Sequence, residues 1–195
     1  VLFRSVSAKL SGTINSAEQA IKSLDTNKIK IIDTGSASMA QGLVAMNAAR
    51  AAKNAKSLDE LADITETTAK KTNVFVAMDT MEFLKRGGRI GKARAMLGSI
   101  LNIKPIITTE DGEIVPHSRA RTIKKAISSM INDMGDKDQI IEVAVLHSTT
   151  PDLAQDVLTQ INAQNLNNPG TITEIGPVVG THAGPGCLAI AFTTK

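Results

Sequence analysis

Aromatic side chains are almost missing from this chain: four phenylalanines, no tryptophan and no tyrosine in 195 residues. Proteins that bind single-stranded nucleic acid stack bases on aromatics, so that class loses its main support, and a net charge of +3 is too small to replace it. The basic residues are thinly spread, with one denser stretch from Lys85 to Arg94 that reads first as a solvated helix face. Cysteine occurs once, as Cys187 in an apolar strand, where it cannot form an internal disulfide, suits a reducing compartment and reads as core. No run of about eighteen apolar residues and no basic, apolar leader is present, so the expectation is a cytoplasmic protein without stable membrane insertion. No metal-ligand spacing surrounds the histidines, and no metal or cofactor is expected.

What the chain does have is enough apolar material, 42%, to bury a core, in an order that alternates strand and helix. Val1–Val6 reads as a strand. A helix follows in which Ile14, Ala17, Ile21 and Leu24 recur at helical spacing; then come the strand "KIKIIDTG", a second helix over "SASMAQGLVAMNAARAAK", and a third opened by the Ser57/Glu60 capping box and running to about Lys70. This βαβα rhythm predicts a parallel sheet flanked by helices. From Thr72 the rhythm changes. "TNVFVAMDT" is a strand, "MEFLKRGGRIGKARAMLGSIL" reads as two short helices broken by glycines, and "IKPIITT" and "EIVPHS" form a hairpin around Asp111-Gly112. Ile123, Ala126, Ile127, Met130, Ile131 and Met134 mark the apolar stripe of another helix. The strand "IEVAVLHS", a helix opening at Pro151, and the strands "TITEIGPVVG" and "CLAIAFTT" complete the pattern. The predicted organisation is α/β in two parts: residues 1–72, the C-terminal part of a parallel-sheet domain whose upstream strands precede Val1, and residues 73–195, a mixed-sheet α/β domain.

Three turns rich in small and hydroxyl residues lie at element ends, where free backbone N–H groups can meet an anion. In "SAKLSGT", Ser7 and Ser11 offer hydroxyls and Gly12 opens the way to a helix N-terminus; the alternative is an ordinary cap. In "RGGRIGKAR", Gly87-Gly88 doubles the chain back and aims Arg89, whose planar fork suits a carboxylate or phosphate; the alternative is a surface arginine after a helix end. In "GTHAGPG", His182 stands among Gly180, Gly184 and Gly186, which supply no packing wall and bring backbone close to something; the alternative is a histidine bracing a turn. His117 and His147 read as structural or exposed.

Together "SAKLSGTINSAEQA", "IIDTGSASMAQG", "TMEFLKRGGRIGKARAMLGSILNIKPIITTEDGEIVPHSRART" and "GPVVGTHAGPGCLAIAF" resemble the DegV family, in that order and over essentially the whole chain. The resemblance implies a bacterial two-domain protein that binds one long-chain fatty acid between its domains and presents the carboxyl group to a separate fatty acid kinase. It also implies that Ser7 is the carboxylate-binding hydroxyl, that Ser11 and Gly12 shape the same loop, and that Arg89, His182 and Gly184 complete the site. Ala8 stands where the family usually has a second serine, and the family's Thr-Asp-Ser and Thr-Ser-Gln-Pro-like motifs are absent, as expected of an N-terminally truncated chain.

Burying about fifteen methylenes at ~0.8 kcal/mol each offers on the order of 12 kcal/mol before ordering costs, so an aliphatic tail can supply the affinity. The carboxylate dragged in with it needs donors. Two rivals remain at this level. One is a hydrolase with Ser7 as nucleophile, His182 as base and Asp33 as orienter, although no Gly-x-Ser-x-Gly elbow is present. The other is a phosphate or nucleotide site on "GGRIGKAR", which is neither a P-loop nor a dinucleotide fingerprint.

Overall fold

Two sheets organise the chain. In the computed structural model, which describes residues 1–24, 26–98, 103–164 and 168–195, β1 (Leu2–Ser5) pairs in parallel with β2 (Lys30–Asp33). Parallel neighbours need a crossover, and α1 (Thr13–Lys22) supplies it. After β2 come α2 (Ser38–Ala51) and α3 (Leu58–Lys70). α3 begins at the predicted cap: the Glu60 N–H donates to Ser57 Oγ at 3.1 Å, while the Glu60 carboxylate accepts from the Lys56 N–H at 2.6 Å instead of closing the box on Ser57. Leu2, Ile32, Ala48 and Ala62 form the small core of this part.

The second sheet is built from β3 (Thr72–Ala77), β4 (Lys104–Glu110), β5 (Glu113–Ala120), β6 (Ile140–His147), β7 (Thr171–Glu174) and β8 (Leu188–Thr194). Their order is β5-β4-β3-β8-β6-β7, with β6 and β7 parallel and the other pairs antiparallel. The β4–β5 hairpin turns on Asp111 and Gly112, at φ 50° and 78°; the left-handed pair matches strand twist and explains the Asp-Gly dipeptide. Between β3 and β4 lie α4 (Glu82–Arg86) and a 3₁₀ helix over Gly91–Met96, as the glycine breaks predicted. The end of that predicted pair of helices, residues 99–101, and the Asn102 that opens the Asn-Ile-Lys-Pro strand lie outside the described residues.

Alternation along the strands sorts two cores. Leu188, Ile190 and Phe192 of β8, Val143 and Val145 of β6, and Phe75 of β3 face α5 (Ile123–Asp133) and α6 (Pro151–Asn162). The predicted stripe of α5 fills that side, with Ala126, Ile127, Met130, Ile131 and Met134 buried. The opposite face carries smaller groups, Ala189 and Ala191 of β8 and Ala144 of β6, and packs against Ala40 and Leu43 of α2.

One predicted strand is corrected. "TITEIGPVVG" leaves the sheet after Glu174, and α7 (Pro177–Ala183) takes over, carrying His182 in its last turn. Gly176 is extended at φ −63°, ψ 160° and Pro177 occupies the first helical turn, where a missing N–H costs nothing. The β-branched pair Val178-Val179 favours a strand locally, but the ladder ends once the Ile175 N–H has donated to the His147 carbonyl at 2.8 Å.

Candidate functional site

The small-residue face of the second sheet leaves room for a cavity of about 420 Å³, within the usual ~300–1,000 Å³ of small-molecule sites. Val74, Val76, Met78, Leu146 and Ala189 form its floor, and Leu84, Ile107, Ile114 and Ile175 continue the aliphatic wall. α7 contributes Val178, Val179 and His182; Val178 is 80% exposed. The polar lining includes Ser11, Thr13, Ser36, Ser38, Gln41, Thr108, Thr109, Arg89 and His182, and no aspartate or glutamate lines it among the described residues. An apolar cavity furnished with donors and no carboxylate suits an amphipathic ligand with an anionic end.

Three of the six predicted ligand residues line this cavity and three do not. Ser11, Arg89 and His182 reach it. Ser11 Oγ also accepts from the Thr13 N–H at 3.3 Å and pairs with Thr13 Oγ1 at 2.8 Å, so the hydroxyl serves as a cap as well. Arg89 donates through Nε to the Leu10 carbonyl at 3.1 Å and through an Nη to the Gly87 carbonyl at 2.8 Å, tying the loop after β1 to the turn after α4. Ser7 is fully buried and its hydroxyl is committed: it donates to the Gly112 carbonyl at 2.6 Å and accepts from the Lys9 N–H at 3.2 Å. Gly12 caps α1 at the surface, and Gly184 is buried behind α7.

Two glycines near the histidine in space answer a packing need. A Cβ on Gly87 would stand 2.0 Å from His182 Nδ1, and one on Gly184, already at φ 75°, would stand 2.3 Å from the Phe83 ring. His182 Nδ1 is buried and has no hydrogen-bond partner. Nδ1 therefore donates to no turn carbonyl.

Other groups fall outside this arrangement. His117 pairs with Asp133 at 2.8 Å and stacks on Phe75 with ring centroids 4.4 Å apart. Cys187 sits fully buried in the cavity wall, and burial, with the nearby Asp79 carboxylate second, pushes its thiol up to about 12. Ser7, His182 and Asp33 form no hydrogen-bonded relay: Ser7 donates to Gly112, Asp33 accepts from the N–H groups of Gly35 and Ala8 at 2.8 and 3.1 Å, and His182 Nδ1 has no partner. In the basic stretch Lys85 and Arg94 are exposed, while Lys92 approaches Glu113 at 3.7 Å. No described helix is long and apolar enough to cross a membrane.

Sequence reasoning passed over Ser36. It is 4% exposed, lines the cavity, and its Oγ has no partner. The only signal was the serine-rich run "TGSAS" ahead of α2, which reads equally well as capping.

The family model described as "Uncharacterised protein, DegV family" matches residues 1–195. The chain belongs to the DegV family. Among DegV relatives, a DegV domain-containing protein of Clostridium acetobutylicum is 36% identical over 97% of this chain and 69% of its own length. Among solved structures, a fatty-acid-binding DegV family protein from Thermus thermophilus superposes with a TM-score of 0.93 at 32% identity, covering all of this chain and 71% of that one. DegV from Bacillus subtilis, a fatty acid binding protein, gives a TM-score of 0.81 at 31% identity, again over the whole chain and 71% of its own. The two-sheet α/β architecture is thus the DegV fold.

Proposed function

We propose that this chain binds one long-chain fatty acid, with the tail along the aliphatic walls and the carboxylate met by Ser11, Arg89 and His182. Ser7, Gly12 and Gly184 shape the loops that carry those groups. In this reading the units predicted as residues 1–72 and 73–195 supply the two sides of the cavity. The observation that carries it is the 420 Å³ cavity in which aliphatic walls meet donor groups, with no carboxylate among its described lining residues. The fatty-acid binding of the Thermus thermophilus and Bacillus subtilis relatives supports the same ligand class. Native mass spectrometry of gently purified protein should show an adduct of fatty-acid mass, and palmitate or oleate should raise Tm, because a ligand that binds only the folded state stabilises it. Bare mass with no Tm gain from either lipid sinks the reading.

The chain acts as a carrier in this proposal, and a separate kinase phosphorylates the presented carboxyl group. Phosphoryl transfer depends on aligning the attacking oxygen and offsetting its charge, which a fixed arginine and histidine can do. The exposed Lys85 and Arg94, together with Lys92, would dock an acidic kinase surface, since charge complementarity mainly speeds encounter. Reversing Lys85 and Arg94 should slow acyl-phosphate formation at low salt and leave lipid binding intact; rates equal to wild type at every salt concentration would remove the docking role.

A further inference from the structure

α2 begins at the cavity without a cap of its own. Ala37, at its N-cap, is extended at φ −145°, ψ 174° and has no side chain that can accept a hydrogen bond, and no acidic residue lies in the first turn. The leading N–H groups of a helix have no intrahelical partner, and the aligned peptide dipoles place partial positive charge at that end. Ala37, Ser38 and Gln41 all line the cavity, so this terminus borders it.

A second observation points to what belongs there. Ser36, one residue before the N-cap, is 96% buried by its 4% exposure, lines the same cavity, and its hydroxyl has neither donor nor acceptor partner. A buried hydroxyl is rarely left unpaired unless a ligand or water completes it. The Ser36 carbonyl accepts from the Ser7 N–H at 2.8 Å, which holds Ser36 beside the loop carrying Ser11 and Leu10, and the Leu10 carbonyl in turn accepts from Arg89. The unpaired hydroxyl, the uncapped helix and the arginine are therefore linked through one run of contacts along the cavity wall.

We infer that the ligand's carboxylate is seated on the N-terminus of α2, accepting from the Ser36 hydroxyl and from first-turn N–H groups such as those of Met39 and Ala40. This rests on the reading of the cavity as a fatty-acid site and adds a seat made of backbone and serine to the arginine and histidine already assigned. A carboxylate has lone pairs enough for both sets, and an anion is the species a helix N-terminus favours.

The test compares palmitate with 1-hexadecanol, which keeps the tail and removes the charge. Wild type, Ser36→Ala and Ala37→Asp are titrated with each lipid, and the Tm of each ligand-free protein is recorded. Ser36→Ala should lose about tenfold in palmitate affinity, in the range of a charge-assisted hydrogen bond, and less than about twofold for hexadecanol. Ala37→Asp places a resident carboxylate at the helix end, so it should raise the ligand-free Tm while lowering palmitate affinity by more than Ser36→Ala does and sparing hexadecanol. Losses equal for both lipids, or no loss in either variant while wild type binds palmitate, overturn the seat and leave the fatty-acid reading standing. Failure of wild type to bind palmitate overturns both.

Discussion

His182 Nδ1 lies against Gly87 so closely that a β-carbon there would approach it to 2.0 Å. The glycine after α4 therefore sets where the histidine of α7 can be. Gly87→Ala should displace the ring and cost about 1–3 kcal/mol from overpacking. In a His182→Ala background the same substitution should cost less, because the histidine clash is gone and only the 3.1 Å approach to the Phe83 carbonyl remains. A double-mutant cycle by urea denaturation checks this; additive effects would mean that the ring does not depend on Gly87.

His182→Ala alone separates holding from presenting. In the proposed site the tail supplies most of the affinity, so palmitate binding should fall only modestly, while kinase-dependent acyl-phosphate formation should be mostly lost. A fall in binding large enough to account for the lost transfer would make His182 an affinity residue instead.

Ser7→Ala distinguishes a ligand from a strut. The Ser7 hydroxyl holds the Gly112 carbonyl, joining the loop after β1 to the β4–β5 hairpin across the molecule. Its removal should cost about 1 kcal/mol, rising toward ~3 kcal/mol if the carbonyl is left buried without a donor. Palmitate affinity should follow that loss in stability and show no preference over hexadecanol. A selective loss for the acid would assign Ser7 to the head group.

Ala189 is 2% exposed on the cavity floor, where a larger group would take the place of ligand. Ala189→Leu should weaken binding of sixteen- to eighteen-carbon acids, at roughly 0.8 kcal/mol for each methylene displaced, and largely spare a twelve-carbon acid. Measuring affinity across chain lengths decides it; a uniform loss at all lengths would place the tail elsewhere.

Cys187 makes stability fall in alkali. Its folded pKa of about 12 exceeds the usual value of 9.0, so above pH 9 the unfolded chain gives up the thiol proton first, and stability is lost as pH rises from 9 toward 12. The slope from this one group is at most about 1.4 kcal/mol per pH unit. Urea melts at pH 7.5, 9 and 10 should show this decline in wild type and a shallower one in Cys187→Ala; identical slopes would remove the thiol as its source.

Local chemistry by itself determined most of the elements. Period-two alternation, the Ser57 cap, the Asp111-Gly112 turn and the stripe of α5 each act within a few residues, so the sequence carried them legibly. So did the pairing of Arg89 and His182 with glycine turns, because a glycine marks a close approach before its partner is known. What approaches was decided only by the tertiary structure. Val178-Val179 favours a strand until the ladder ends at Glu174 and Pro177 starts α7. Ser7 looks like a free hydroxyl until the distant hairpin brings the Gly112 carbonyl to 2.6 Å, and Ser36 looks like a cap until the folded chain buries its hydroxyl without a partner. Hydrogen-bond satisfaction in a core is settled between residues far apart in the chain, and no local pattern encodes it.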